Sequence, residues 1–304
     1  MGRMLDAVII GGGPGGMAAA VYLARQKLKF VMVTGTVGGQ ALWSADVEDY
    51  LGFHLLNGME LVNRFRAHLE DYHDFFELHE GEVVEKVEKM KGGFQVKSDH
   101  ETYETQTVLI ATGTKHRALN VPGEKELYGK GVTYCATCDA PLYKGKVVYV
   151  IGGGNSAIDA ALFAAKYAAE VHLVSVNPEL KGDAVMRDKI QASAIIQHLA
   201  TKTTRLVGRS VIAGIGLMGP DGVEKIEKAE GVFVEIGLQP VADFIDFVGK
   251  DHLGQIMVDA FNATNVEGIW AAGDVTNVTE KQIAVAVGEG SKAALSLIRY
   301  LQSH

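Results

Sequence analysis

Two glycine-rich loops, each placed between a short apolar run and a helical pattern, predict an α/β chain. They imply two Rossmann-like, three-layer dinucleotide-binding domains, the second inserted in the first. The first loop is Gly11-Gly12-Gly13-Pro14-Gly15-Gly16 and the second is Gly152-Gly153-Gly154-Asn155-Ser156-Ala157. A third observation is that the only two cysteines lie between the loops, in Cys135-Ala136-Thr137-Cys138-Asp139. One thiol couple beside two nucleotide cradles points to electron exchange between a bound cofactor and a disulfide.

Ala7–Ile10 reads as a buried strand, Met17–Arg25 as the helix after the loop, and Phe30–Val33 as the next strand, which completes a βαβ unit. Asn57 is placed to cap a helix whose apolar positions are Leu61, Val62, Phe65, Leu69 and Tyr72. Three short strands are then expected at Glu82–Glu88, Phe94–Lys97 and Thr102–Thr105, followed by a separate buried strand at Val108–Ala111. The second unit repeats the pattern with strand Val147–Ile151, helix Asn155–Tyr167 and strand Val171–Val174. Strand Ile269–Ala272, the turn Gly273-Asp274 and a helix ending near Leu301 close the chain. The expected domains are 1–113 with 245–304, and 114–244.

Composition narrows the class. A chain of 304 residues suits about two domains at roughly 100–200 residues each. A net charge of −8 argues against nucleic acid, which calls for a basic stripe. The richest apolar stretch, Ala160–Val176, is interrupted by Lys166, Glu170 and His172, short of the roughly 18–20 apolar residues a bilayer requires. Asp6 sits inside the first apolar run, so no signal peptide or membrane segment is expected and the cytoplasm is the default location.

The first loop carries GxGxxG at Gly11, Gly13 and Gly16, where the backbone must turn tightly and aim helix-start amides at a pyrophosphate. The acidic residue expected about 20 positions later to bind a ribose is missing, because the strand ends at Val33-Thr34-Gly35. The second loop has the same spacing at Gly152, Gly154 and Ala157, with Asn155 and Ser156 between them. Its selector position is Ser175, which signals neither NAD nor NADP. Lys181 and Arg187 lie within reach of a 2′-phosphate or form a solvated surface. No metal site is expected, since the CxxC has no second cysteine pair and the histidines are scattered. Cys135 and Cys138 read as a redox dithiol, the alternative being two inert core cysteines, with Asp139 as its proton carrier or as a turn cap. Gly273-Asp274, with Lys281, Gln282 and Ile283 at a helix start, forms a further polar cluster for a cofactor ring.

As a set, Gly11–Gly16, Val37-Gly38-Gly39-Gln40, Ala111-Thr112-Gly113, Cys135–Asp139, Gly152–Ala157 and Ala271-Ala272-Gly273-Asp274 with Gln282 resemble the low-molecular-weight thioredoxin reductases. The reductase core of the alkyl hydroperoxide reductase flavoprotein is similar too, through Gly131–Cys135, Pro141–Lys146 and Lys281-Gln282. The resemblance implies a homodimeric FAD enzyme that draws on NADPH or NADH and reduces thioredoxin or a thioredoxin/glutaredoxin-like protein. It implies that Gly11, Gly13, Pro14 and Gly16 cradle the FAD pyrophosphate. Gly39, Gln40, Asp49, Val84, Ala111, Thr112, Gly113, Gly273, Asp274, Lys281, Gln282 and Ile283 would complete that site. Gly152, Gly154, Asn155, Ser156, Ala157 and Ser175 would fall to the pyridine nucleotide. Cys138 would meet the flavin, Cys135 would attack the partner's disulfide, and Asp139 would move the proton.

Two positions depart from that pattern. Ser175-Val176-Asn177-Pro178 stands where NADPH-using relatives carry His-Arg-Arg and the peroxide-reductase relatives carry Glu, and Asp49 stands where Asn is usual. Some relatives without the NADPH determinants take electrons from ferredoxin or a reduced deazaflavin, which makes either an alternative donor for the same disulfide reductase.

Overall fold

The computed structural model describes residues 4–44, 47, 49–54 and 56–303, without the side chains of Trp43, Thr137 and Cys138. The chain groups into two compact units, one of residues up to Lys115 together with those from Gln239 onward, the other His116–Leu238.

In the first unit, strands Leu5–Ile10, Phe30–Thr34 and Phe76–Glu80 run parallel, with Thr102–Ile110 and Ile269–Ala271 extending the sheet on the other side of Leu5–Ile10. The first strand is buried on both faces, which is why Ala7 to Ile10 read as an unbroken apolar run rather than an alternation. One face packs Ala7, Ile9, Met32 and Leu109 against helices Pro14–Arg25 and Ile283–Ser303. The other packs Val8, Ile10, Val31 and Val108 against the hairpin Val84–Met90/Gly93–Ser98 and against Phe244, Ile245 and Val248.

Thr102–Ile110 is one strand, not the two expected. Its burial alternates over the first half, where it pairs antiparallel with Gly93–Ser98. It then becomes wholly buried, where it enters the parallel sheet between Leu5–Ile10 and Ile269–Ala271. The change of pattern marks a change of neighbours rather than a turn. The expected cap is present: Asn57 accepts the Glu60 amide at 2.8 Å and starts helix Gly58–Glu70, which ends before Tyr72.

In the second unit the strand order is Ile196–His198, Glu170–Val174, Val147–Ile151, Gly231–Val234 and Val132–Thr133, all parallel. Helix Asn155–Ala164, three residues shorter than expected, packs Ala157, Ile158 and Ala161 on the face carrying Val148, Val150 and Leu173. An antiparallel sheet of Lys202–Gly208, Ile212–Met218 and Glu224–Lys228, which the sequence reading missed, covers the face carrying Tyr149, Ile151 and Val174. Among the described residues no helix is long and apolar enough to cross a membrane.

Candidate active site

Three of the expected motifs follow adjacent parallel strands of the first unit. Gly11 follows Leu5–Ile10, Ala111-Thr112-Gly113 follows Thr102–Ile110, and Gly273-Asp274 lies just past Ile269–Ala271. A crevice at the carboxyl ends of parallel strands is where open α/β sheets take ligands. The glycines there divide into two kinds. A Cβ on Gly11, at φ +107°, would stand 2.4 Å from the Ala111 carbonyl, and one on Gly16 would stand 1.9 Å from the Gly11 carbonyl. Both are required by packing alone. Gly13 and Gly113 have no protein atom within 4 Å of a built Cβ. At Gly13 the missing side chain therefore serves space rather than packing, whereas Gly113, at φ +64°, is also held to glycine by its backbone conformation.

Helix Pro14–Arg25 begins at Gly13 with no side-chain cap, and Pro14 stands in its first turn. Uncapped amides beside an open glycine suit a phosphate, because the helix end carries roughly half a positive charge. The place of the missing ribose acid is taken by Thr34, 6% exposed, whose hydroxyl accepts the Gly12 amide at 2.9 Å. Glu80, at the end of the missed strand Phe76–Glu80, accepts the Val37 amide at 3.1 Å. That bond, aided by Arg66, holds its carboxyl below the usual range.

The remaining first-unit candidates line up unevenly. Gly39 stands over Gly13, and Gln40 donates to the Thr114 carbonyl at 2.7 Å and hydroxyl at 2.6 Å. Thr112 donates to the Val241 carbonyl at 2.6 Å. Lys281 donates to the carbonyls of Asp274 (3.1 Å) and Thr276 (2.7 Å). Burial raises the Asp274 carboxyl and lowers Lys281, each opposed by the other's charge. Gln282 is exposed before helix Ile283–Ser303, Val84 is buried at the head of its hairpin, and Asp49 is exposed. Sequence reasoning missed Glu289. Nearly buried on that helix, it accepts the Gly273 amide at 2.9 Å and the Thr276 hydroxyl at 3.2 Å, fixing the turn that presents Asp274.

In the second unit the glycine loop and the cysteine motif share one sheet edge. Gly152 follows Val147–Ile151, Glu235 follows Gly231–Val234, and Cys135 comes two residues after Val132–Thr133, on three neighbouring strands. Gly152, at φ +148°, would place a Cβ 2.1 Å from the Glu235 carbonyl, whereas Gly154 has nothing within 4 Å and starts helix Asn155–Ala164 without a side-chain cap. Ala157 is buried behind the loop and Ser156 is exposed at its front. Asn155 is exposed and accepts the Asp183 amide at 2.8 Å through its side-chain oxygen. Ser175, 2% exposed, accepts the Asn177 amide at 3.2 Å and touches the loop at Gly153. A buried neutral hydroxyl therefore occupies the selector position of both units. Arg187 donates to the Gly182 carbonyl at 2.8 Å and lines a cavity of about 380 Å³ with Glu179, Leu180, Gln191, Gln197 and Leu199.

Cys135 is disulfide-bonded, and the sequence holds one other cysteine; the side chain of Cys138 lies outside the described residues. Residues Ala136–Asp139 form one helical turn, closed by the Asp139 amide on the Cys135 carbonyl at 3.2 Å. The Asp139 side chain makes no cap on the following turn Ala140–Tyr143. It accepts the Thr133 hydroxyl instead, and the same hydroxyl accepts the Cys135 amide at 3.1 Å. Sequence reasoning missed Thr133, although a threonine two residues before a turn-starting amide is a recognisable signal. Glu124, 3% exposed, fixes the segment before the motif by accepting the Tyr134 hydroxyl at 2.6 Å and the amides of Leu119 and Asn120.

Known proteins resemble this chain over nearly its whole length. The family described as Pyridine nucleotide-disulphide oxidoreductase matches residues 5–290. The alkyl hydroperoxide reductase F protein of Pseudomonas putida is 38% identical over 303 residues, 97% of this chain and 58% of that protein. Its Escherichia coli counterpart is 37% identical over the same span and shares. The chain thus spans 58% of the length of these curated relatives. Among solved structures, T. acidophilum thioredoxin reductase has a TM-score of 0.91 at 38% identity, covering 99% of both chains. Lactococcus lactis thioredoxin reductase has 0.93 at 30% identity, covering 99% of this chain and 100% of that one.

Proposed function

The chain belongs to the pyridine nucleotide-disulphide oxidoreductase family, and from that premise we propose that it is an FAD-dependent reductase of a protein disulfide, fed by a pyridine nucleotide. The observation that carries the reading is the disulfide-bonded Cys135 on the sheet edge that bears an open, uncapped glycine loop. FAD, when bound, supplies the exchange between a two-electron hydride donor and a dithiol.

The fit of each group rests on the open glycines. Gly13, Gly113 and the uncapped start of Pro14–Arg25 would hold the FAD pyrophosphate, with Gln40, Thr112 and Asp274 around the rest of the molecule. Gly154 and the start of Asn155–Ala164 would hold the nucleotide diphosphate. Reduction of the disulfide adds two electrons and two protons and breaks the S–S bond. The Cys135 thiolate then attacks the partner's disulfide, and Cys138 displaces the mixed disulfide to release a reduced partner. Asp139, held by Thr133 beside Cys135, would carry the proton that this exchange moves. The relatives' names suggest a thioredoxin-like or peroxide-reducing partner.

Ser175 offers no charge to a ribose phosphate and is sealed against the loop, so NADPH and NADH are expected to be used with little discrimination. The same observation favours a second donor, ferredoxin, for the same disulfide chemistry. Steady-state turnover of thioredoxin disulfide with each nucleotide tests the proposal. Turnover with at least one nucleotide, abolished in Cys135→Ser while flavin reduction survives, is expected. No turnover with any thioredoxin-like or peroxiredoxin-type acceptor under either nucleotide or reduced ferredoxin would overturn it.

A further inference from the structure

Histidines that look scattered along the sequence meet between the two sheets of the second unit. His172, 6% exposed, lies beside Tyr149 across the strand pair, with the two rings stacked at 4.2 Å. Its Nε2 is 2.6 Å from Glu170 Oε1, and its Nδ1 is 2.8 Å from Nε2 of His198 on the next strand. Glu227 enters from the antiparallel sheet and accepts the Tyr149 hydroxyl at 2.7 Å. One ligand atom each of His172, His198 and Glu227 lie within 4.8 Å of one another.

The protons decide what this cluster can hold. A carboxylate only accepts, so Glu170 fixes the proton of a neutral His172 on Nε2 and leaves a lone pair on Nδ1, aimed at His198. His198 can answer in two ways. With its proton on Nε2 it donates to that lone pair. With its proton on Nδ1 it presents a second lone pair to the same point, and a cation replaces the proton between them. We propose that His172 Nδ1, His198 Nε2 and the Glu227 carboxylate form a binding site for a divalent cation of the zinc type. Two imidazoles and a carboxylate with one open position suit that ion. Glu170 and Tyr149 stand behind His172 and Glu227 and orient them.

Zinc–nitrogen bonds of about 2.0–2.1 Å at a tetrahedral angle put the two nitrogens about 3.3–3.4 Å apart, so the pair must open by roughly half an ångström. Entry is available from the side of His198 and Glu227, which are only half-buried, whereas His172 is buried. The ion would tie together strands Glu170–Val174, Ile196–His198 and Glu224–Lys228, and so act on the stability of the second unit rather than on the thiol chemistry.

The full-length protein, kept oxidised so that the disulfide offers no thiolate, is titrated with Zn²⁺ by calorimetry and with Co²⁺ by visible absorption. One equivalent of each should bind, cobalt with the intense d–d bands of four-coordination. His198→Gln and Glu227→Gln should each weaken binding at least tenfold while keeping the wild-type far-ultraviolet circular dichroism. Absence of saturable binding by the wild-type protein, which needs no variant to read, overturns the proposal. So does an affinity unchanged in either folded variant.

Discussion

The buried hydroxyl of Thr133 donates to Asp139 and at the same time accepts the amide of Cys135 at 3.1 Å. One oxygen thus holds both the sulfur-bearing backbone and the carboxylate proposed to serve it. Thr133→Val keeps the shape and removes both bonds, leaving an amide and a carboxylate to find other partners at a cost of about 1–3 kcal/mol in stability. Turnover of a thioredoxin-like acceptor should fall about tenfold or more, with its pH profile displaced. The rate of flavin reduction by nucleotide should stay at the wild-type value. Equal losses in both half-reactions, measured by rapid mixing, would show that Thr133 supports only the fold.

The two kinds of glycine make opposite predictions. Gly11→Ala forces a side chain at positive φ against the Ala111 carbonyl and should destabilise the protein by several kcal/mol, seen as a lower melting temperature. Gly13→Ala meets no protein atom, so melting of the apoprotein should barely change while FAD affinity drops. Gly154→Ala should likewise spare the fold and the flavin content and raise the nucleotide KM. An apoprotein melting temperature that falls as far in Gly13→Ala as in Gly11→Ala would refute the assignment.

Glu235 sits at the strand end between the glycine loop and the cysteine turn, where burial, helped by the Asp159 charge, pushes its carboxyl up to about 8. Folding therefore favours the protonated form. The stabilising contribution is whole below the ordinary carboxylate range, near 4–4.5, and is lost as pH rises toward about 8. Glu235→Gln cannot ionise, so its melting temperature should decline less than wild type between about pH 5 and pH 9 and exceed it at the alkaline end. Parallel curves would show that Glu235 does not carry this pH dependence.

Parallel strands Leu5–Ile10, Phe30–Thr34, Val147–Ile151, Glu170–Val174 and Ile269–Ala271 and both glycine loops were legible in the sequence, because buried strands write continuous apolar runs and phosphate loops restrict residue type at fixed spacing. Parallel strands Phe76–Glu80, Val132–Thr133, Ile196–His198 and Gly231–Val234 were not. Asn57 was legible for the same local reason, since a cap acts across three residues. What stayed hidden depends on contacts distant in sequence. The division of Gly11 from Gly13 lies in where Ala111 falls, about a hundred residues on. Glu289 looks like one more polar position on a long helix until Gly273 is seen against it. Lys202–Gly208 and Glu224–Lys228 carry exposed charges on their outer faces, which masked them as strands. Thr133 is the intermediate case, with one partner two residues away and the other six.

In the proposed reaction, electrons entering through the flavin end on the Cys135 disulfide. The decisive experiment is anaerobic reductive titration of the oxidised, FAD-loaded protein, with thiols counted by a chromogenic disulfide at each step. Uptake of about four electrons per chain is expected, two for the flavin and two for the disulfide, with two thiols appearing as the titration completes. Bleaching of the flavin after about two electrons, with no thiol gained at any point, would refute it.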